Sequence, residues 1–150
     1  MSEQGFQSRA SRQGREFEEA VALVLKLKGW SIDGVREKIG YQEIDIVATD
    51  PDGQQWWIEC KGSWESKGGV NGLRRSDTVK KACGVAWHLS LLPSELRRPY
   101  MLVTSHKPRP GTSAAQMLDD ALADGKFQRI DALAFASDLT ADDDTEEDAA

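Results

Sequence analysis

Two short segments near the middle of the chain combine acidic, basic and apolar residues at a spacing that could support chemistry on a phosphate group. Residues 43–48 alternate polar and apolar side chains, which is typical of a strand with one apolar face. Residues 55–61 are rich in aromatic and β-branched side chains and predict a second strand. Residues 50–53 contain a proline, which presets φ, and a glycine, which accepts a positive φ. We therefore predict a β-hairpin.

The side chains that could act lie on one face of this hairpin. We expect a three-residue loop at 51–53, which places Asp45 opposite Glu59. Glu43 then lies opposite Lys61 on the same face. The other face is apolar and is expected to point into the core through Ile44, Ile46, Ile58 and Cys60.

Opposed carboxylates in a hairpin need a compensating positive charge. Their Cβ atoms are about 4.5–5.5 Å apart, and like charges at that distance destabilise a sheet. A hard divalent cation would offset the repulsion, since Mg²⁺ prefers carboxylate oxygens. Lys61 follows Glu59 closely and adds a positive charge on the same face. A metal that acidifies a water and an ammonium that stabilises developing charge together suit the hydrolysis of a phosphodiester.

The same charged residues have a simpler interpretation. They could form the solvent-exposed face of a hairpin that is held by cross-strand ion pairs. The residues before Glu59 favour the catalytic interpretation, because Trp57 and Ile58 make the strand apolar on both faces there. The charges then fall at the end of a buried strand rather than along an exposed one.

The flanking segments predict an α/β domain. Residues 12–28 show apolar side chains at helical spacing, and Gly29 ends the helix. Residues 30–37 predict a strand before the hairpin. The later predicted elements alternate: a helix from near Ser76, a buried strand at 100–104, a helix from Thr112 or Ser113, and an edge strand at 130–135. This order predicts a three-layer sandwich, with a mixed central sheet, an antiparallel hairpin at its core and helices on both faces.

Negative charge is concentrated at the C-terminus. The formal net charge is −6, and six of the 25 acidic residues lie between positions 142 and 148. The other 19 balance the 19 basic residues, so the net charge neither supports nor excludes a polyanionic partner. We divide the chain into a flexible arm at 1–11, one folded domain at 12–138 and an acidic, disordered tail at 139–150. The alternative for the tail is a segment that mimics nucleic acid and inhibits the domain.

Composition argues against several protein classes. No run of about 18 apolar residues is present, so we expect no membrane-spanning helix. The N-terminus is polar and lacks the apolar stretch of a signal peptide. Cys60 and Cys83 are too few for a disulfide scaffold and lack the spacing of zinc ligands. We therefore expect a cytoplasmic protein that has no membrane partner.

The hairpin also resembles a known motif. Asp45, followed on the next strand by Glu59 and Lys61, is similar to the D…(D/E)-x-K signature of the PD-(D/E)XK nuclease superfamily. Gly14 and Glu18, with a later glycine, resemble the G-x-x-x-E…G start of archaeal Holliday-junction resolvases and Mrr-type restriction enzymes. The proline of the name is missing, since Ile44 precedes Asp45, which the superfamily tolerates.

The resemblance covers roughly residues 14–104 and implies a restriction-endonuclease-like fold. It also implies that Asp45 and Glu59 bind Mg²⁺ and that Glu18 joins or supports the metal site. Lys61 would assist the attacking water. Mn²⁺ is expected to substitute for Mg²⁺.

Basic residues after the hairpin are candidates for contacts with nucleic acid. Lys67, Arg74 and Arg75 lie in a glycine-rich stretch that could close over a phosphate backbone. Lys80 lies on the helix that follows and could reach the same phosphates. The alternatives are a flexible loop and a solvated helix face. A chain this short has little room for a separate recognition unit, so we expect a homodimer or a partner protein that supplies specificity.

These observations lead to one main hypothesis and one alternative. The main hypothesis is an Mg²⁺-dependent DNA nuclease, acting as an endonuclease in repair, recombination or restriction. The alternative is a catalytically silent module of the same fold that binds nucleic acid or serves in assembly. The presence of all four polar residues of the motif favours the enzyme.

Overall fold

The computed structural model describes residues 3–62 and 72–133 of the chain. The α-helices of these ranges are α1 (Glu3–Leu27), α2 (Ser76–Ser90) and α3 (Ser113–Ala123). The strands are β1 (Ser31–Ile39), β2 (Gln42–Thr49), β3 (Gln55–Lys61), β4 (Tyr100–Thr104) and β5 (Arg129–Ala132). Lys67 and the acidic tail at 139–150 lie outside the described residues. No helix within these two ranges is long and apolar enough to cross a membrane.

The strands form one mixed sheet in the order β1-β2-β3-β4-β5. The pairs β1–β2 and β2–β3 are antiparallel, whereas β3–β4 and β4–β5 are parallel. A parallel pair needs a crossover connection, and α2 provides it between β3 and β4. Helix α1 packs on one face of the sheet, and α2 and α3 pack on the other. This confirms the three-layer α/β sandwich that the sequence predicts.

The central hairpin has the predicted register. Ile46 pairs with Ile58, and the ladder continues to the turn. The Asp50 carboxylate holds the turn, because its Oδ1 accepts hydrogen bonds from the backbone N–H groups of residues 52 and 54, both at 2.9 Å. Its Oδ2 accepts the indole N–H of Trp56 at 3.0 Å. Gly53 closes the turn at φ 91°, a left-handed conformation that glycine adopts without strain.

Two apolar layers hold the sheet between the helices. The layer under α1 consists of side chains spaced four apart on the helix and of one face of the strands: Phe17, Val21, Leu25, Ile46, Ile58, Met101 and Val103. The layer under α2 and α3 uses the opposite face of the strands: Val47, Trp57, Val79, Ala82, Ala86, Leu102 and Leu118. Both faces of β3 and β4 are therefore covered, as the apolar run at 100–104 predicts.

Ile44 departs from the expected alternation. The sequence predicts that it shares the face of Ile46 and Ile58, but it packs in the layer under α2 and α3. The described β2–β3 ladder ends at the Ile46–Ile58 pair. Beyond that pair the twist of β2 is no longer fixed relative to β3, so Ile44 can turn to the other layer. The predicted face of Ile44 is therefore wrong.

Two boundaries also differ from prediction. Helix α1 begins at Glu3, so the residues expected to form a loose arm at 1–11 largely belong to the helix. They lack apolar periodicity, but glutamate, glutamine, arginine and alanine favour the helix by intrinsic propensity. Strand β5 ends at Ala132, whereas the expected strand ran from 130 to 135 and partly lies outside the described residues.

The packing of α1 predicts a clear effect of one substitution. Phe17 is fully buried under the sheet, and Phe17→Ala should lower the free energy of unfolding by about 3–5 kcal/mol. Leu23 lies on the same helix but is 58% exposed, so Leu23→Ala should change that value by less than about 0.5 kcal/mol. Urea denaturation followed by circular dichroism measures both. Equal losses in the two variants would contradict this packing.

Candidate active site

The site forms where the hairpin strands stop pairing. The ladder between β2 and β3 ends at the Ile46–Ile58 pair. Asp45 and Glu59 are the next two opposed residues beyond that pair. Past that point the backbone N–H of Cys60 donates to Asp45 Oδ2 at 2.8 Å instead of to a main-chain carbonyl. The half-buried Asp45 carboxylate thus continues the connection between the strands and is fixed next to β3.

Glu59 is a buried carboxylate with a partner on each oxygen. Only 6% of the residue is exposed. Its Oε1 lies 3.2 Å from Lys61 Nζ, and its Oε2 accepts a hydrogen bond from the Tyr100 hydroxyl at 3.1 Å. The Tyr100 ring stacks on Phe127, with ring centroids 5.3 Å apart and an interplanar angle of 14°. The orientation of Glu59 is therefore set from one side by the motif lysine and from the other by the core.

Lys61 is held at the carboxyl end of β3. Its backbone carbonyl accepts a hydrogen bond from the buried Thr104 hydroxyl at 2.7 Å, which ties the ends of β3 and β4 together. The next residue, Gly62, has no room for a side chain. A Cβ there would lie 2.6 Å from Ser105 Oγ and 2.8 Å from Phe17 Cζ. The chain consequently passes close to α1 as it leaves the strand, and the Lys61 side chain stays 28% exposed.

Glu18 enters the site from α1. It follows the fully buried Phe17, and its Oε2 lies 3.0 Å from a guanidinium nitrogen of Arg36. Arg36 lies on β1 level with Asp45, because its neighbours Val35 and Glu37 pair with the residues that flank Asp45. Arg36 has a φ of 49°, a left-handed conformation that costs a non-glycine residue about 1–3 kcal/mol.

Burial and the neighbouring charge of Asp45 raise the pKa values of two acids in the site, Glu18 and Glu59. Burial raises the pKa of Glu59 to about 8, and the negative charge of Asp45 adds to this rise while the Lys61 ammonium opposes it. Burial also raises the pKa of Glu18 to about 7, again with a contribution from Asp45 and with Arg36 acting in the opposite direction. Hydrogen bonding of Asp45 to both glutamates raises their pKa values further. Asp45 therefore lies between the two other carboxyls.

The structure thus brings together all four residues that the motif singles out. Glu18, Asp45 and Glu59 interact in series, and Lys61 pairs with the last of them. The face that carries them is not solvent-exposed, since Glu59 is buried. Their catalytic roles stay predictions, but the interpretation as an exposed face of surface ion pairs does not fit Glu59.

The carboxylates suit a divalent cation in their chemistry. Within the described ranges, no group of three or more His, Cys, Asp or Glu side chains could hold a metal ion. Asp45 and Glu59 nevertheless offer carboxylate oxygens, and Mg²⁺ is commonly bound by one or two carboxylates together with waters and substrate phosphates. The pair fits that pattern. Glu18 as a further ligand stays a prediction, because Arg36 engages its Oε2.

Two of the predicted nucleic-acid contacts, Arg74 and Arg75, adjoin a segment that is tied to the same end of the sheet. The 3₁₀-helix that precedes α2, Gly72–Arg74, is tied to the loop after β4, because Leu73 N–H donates to the carbonyl of His106 at 2.9 Å. Arg74 is exposed at its end, and the exposed Arg75 pairs with Asp77 at 3.3 Å. Lys80 is exposed on α2. None of these placements tests a contact with nucleic acid.

Sequence reasoning missed two residues of the site. Arg36 could have been found from its position level with Asp45 once the β1–β2 register is known, but a lone arginine in a strand gives no signal by itself. Tyr100 lies 41 residues from Glu59 in the chain, and only the parallel pairing of β3 and β4 brings them together. Both depend on tertiary structure rather than on a local pattern.

The solved structures that are similar to the chain include the following two. The EndoMS–dsDNA2 complex aligns with 77% of this chain at 16% identity and a TM-score of 0.43. Pyrococcus furiosus SfsA in complex with Ca²⁺ aligns with 83% at 18% identity and a TM-score of 0.42. The chain spans 43% and 56% of those two proteins, and similarity this low does not identify its activity. No family model and no curated protein matches the chain, so membership of the PD-(D/E)XK superfamily stays a prediction.

The raised pKa of Glu59 predicts how stability depends on pH. In EDTA, folded Glu59 keeps its proton up to about pH 8, whereas the unfolded chain loses it near the ordinary value of 4.5. The stabilisation that protonated Glu59 provides is therefore fully present below pH 4.5 and is lost as the pH rises toward 8, and it is on the order of 5 kcal/mol in total. Glu59→Gln should flatten this decline in the free energy of unfolding, while the exposed Glu43→Gln should retain it. Parallel wild-type and Glu59→Gln curves would contradict the burial of this acid.

Proposed function

We propose that this chain is a divalent-cation-dependent DNA nuclease of the PD-(D/E)XK type. The observation that carries the proposal is the buried Glu59 carboxylate, in contact with Asp45 on one strand and with Lys61 on its own. Burying carboxylates side by side is unfavourable unless a positive charge compensates them. A site built in this way is better explained by a cation and an anionic substrate than by stability.

Each residue has a role that follows from its position. Asp45 and Glu59 would hold Mg²⁺ or Mn²⁺, with Glu18 completing or supporting the site. The bound ion would supply an acidified water and neutralise phosphoryl oxygens. The partly exposed Lys61 ammonium would orient the attacking water or stabilise the charge that develops on the phosphate. Tyr100 would keep Glu59 Oε2 in place through its hydroxyl.

The substrate class follows from the reaction and from the surrounding charge. Arg74, Arg75 and Lys80 would contact backbone phosphates beside the site, as would Lys67, which lies outside the described residues. We propose DNA as the substrate and an endonucleolytic role in repair, recombination or restriction. Specificity would come from a second copy of the chain or from a partner protein.

One observation favours a second candidate. Both oxygens of Glu59 already have donors, and no ready set of three ligands exists among the described residues. A domain that binds nucleic acid without cutting it could keep this arrangement as a purely structural network. The two candidates differ in whether a divalent metal binds and whether the backbone is cleaved.

Substitution of the three central residues tests the proposal. Asp45→Asn and Glu59→Gln should both lose Mn²⁺ binding and plasmid nicking, because each removes a metal ligand. Lys61→Ala should retain Mn²⁺ binding yet lower the cleavage rate by about 10²–10³-fold, since the carboxylates remain while charge stabilisation is lost. The exposed Glu43→Gln on the same hairpin serves as a matched control and should cut at the wild-type rate.

Calorimetry with Mn²⁺, and cleavage assays with supercoiled plasmid, branched DNA and RNA, measure these effects with Mg²⁺ and with EDTA. Metal-dependent cleavage of DNA over RNA would support the proposal. Nucleic-acid binding without metal binding or cleavage would favour the silent module. Variants that all cut at the parental rate would refute the assignment of the site.

A further inference from the structure

Arg36 is the cation at the edge of the site that the proposed chemistry does not use. Its guanidinium contacts Glu18 Oε2 at 3.0 Å, while 47% of the arginine side chain and only 18% of the glutamate side chain are exposed. Glu18 is thus mostly buried in the site, whereas about half of the Arg36 side chain is exposed to solvent. An anionic substrate that approaches Asp45 would pass this guanidinium, because Arg36 lies level with Asp45 on the neighbouring strand.

The backbone at Arg36 adds a second, independent observation. Among the described residues, Arg36 alone combines a side chain beyond glycine with a positive φ. Such a conformation is unfavourable and persists where the surrounding structure requires it, often at functional sites. Its neighbours Val35 and Glu37 stay paired with β2, so the irregularity is confined to one residue. It turns a single side chain of β1 toward α1 and the carboxyl cluster.

We propose that Arg36 is a phosphate-contacting residue that Glu18 holds in the metal-free protein and that a divalent cation releases. This inference rests on the proposed function, since it requires a cation at the carboxyl cluster. A metal drawing on Glu18 neutralises the charge that holds the guanidinium and repels it toward the exposed side. The planar guanidinium can then bind a phosphate oxygen pair in a bidentate manner.

The consequence is a coupling between metal binding and DNA binding. Without metal, Arg36 is paired and contributes nothing to DNA affinity. With metal, it adds one charge-assisted phosphate contact. Thermodynamic linkage then requires that DNA increase the affinity for the metal by the same factor.

A double-mutant cycle in EDTA tests the release without any metal. Glu18→Gln removes the charge that holds Arg36, so it should tighten binding of a short fluorescent DNA duplex about tenfold at low salt. It should also steepen the salt dependence by about one phosphate contact. The double variant Glu18→Gln with Arg36→Ala should lose both gains, and Arg36→Ala alone should bind like the wild type. If the two substitutions act additively, Glu18 only repels DNA and the proposal fails.

A second arm tests the metal itself. In a Lys61→Ala background, chosen to slow cleavage, Arg36→Ala should weaken DNA binding about tenfold with Mn²⁺ and less than about twofold with EDTA. Lys38, an exposed cation on the same strand, is the matched control. Lys38→Ala should have the same effect on DNA affinity with and without Mn²⁺. An equal effect of Arg36→Ala under both conditions would overturn the proposal.

Arg36→Gly separates the side chain from the backbone strain. Glycine accepts a φ of 49° without cost, so this variant should be folded and should reproduce the DNA-binding loss of Arg36→Ala. A loss in the alanine variant alone would assign the effect to distortion and refute the phosphate contact. Calorimetry on the same samples distinguishes the two levels of inference. No Mn²⁺ binding refutes both, whereas normal Mn²⁺ binding with an unchanged effect of Arg36→Ala refutes the release alone.

Discussion

The constraint on which the site depends is the burial of Glu59 beside Asp45. A carboxylate taken out of water costs free energy, and a second one beside it adds to the cost. The surrounding contacts lower this cost by placing hydrogen-bond donors and cations on the acids. The Cys60 amide donates to Asp45, the Lys61 ammonium and the Tyr100 hydroxyl lie on the two oxygens of Glu59, and the Arg36 guanidinium holds the nearby Glu18. Burial is the main cause of the raised pKa values of Glu59 and Glu18, and the negative charge of Asp45 adds to it.

The fold places these two acids where a ligand could reach them. The two hairpin strands separate after Ile46 and Ile58, so the charged residues come at the point where main-chain pairing ends. The parallel neighbour β4 and the close approach at Gly62 keep the end of β3 rigid. Lys61 pairs with Glu59 and Arg36 pairs with Glu18, and the partly exposed Lys61 side chain leaves this end of the sheet accessible.

Sequence reasoning captured the parts that short-range rules determine. The turn at 50–53 fixed the hairpin register, and the apolar run at 100–104 predicted β4 with its correct ends. It failed at the start of α1, at one side chain of β2 and at two residues of the site. The start of α1 follows from helix propensity rather than from periodicity, and Ile44 changes layer because the β2–β3 ladder ends early. Arg36 and Tyr100 could not be predicted, since their roles exist only after the sheet has assembled.

The stack of Tyr100 on Phe127 connects the apolar core to the candidate site. Phe127 is fully buried and carries no polar atom on its side chain. It nevertheless stacks on the Tyr100 ring, whose hydroxyl donates a hydrogen bond to Glu59. Substitutions in the layer under α2 and α3 can therefore change the pKa of Glu59 without contacting it. Sequence changes in that layer are therefore constrained by the geometry around Glu59 as well as by volume. An engineer who repacks the core for thermal tolerance would be adjusting the basicity of the site at the same time.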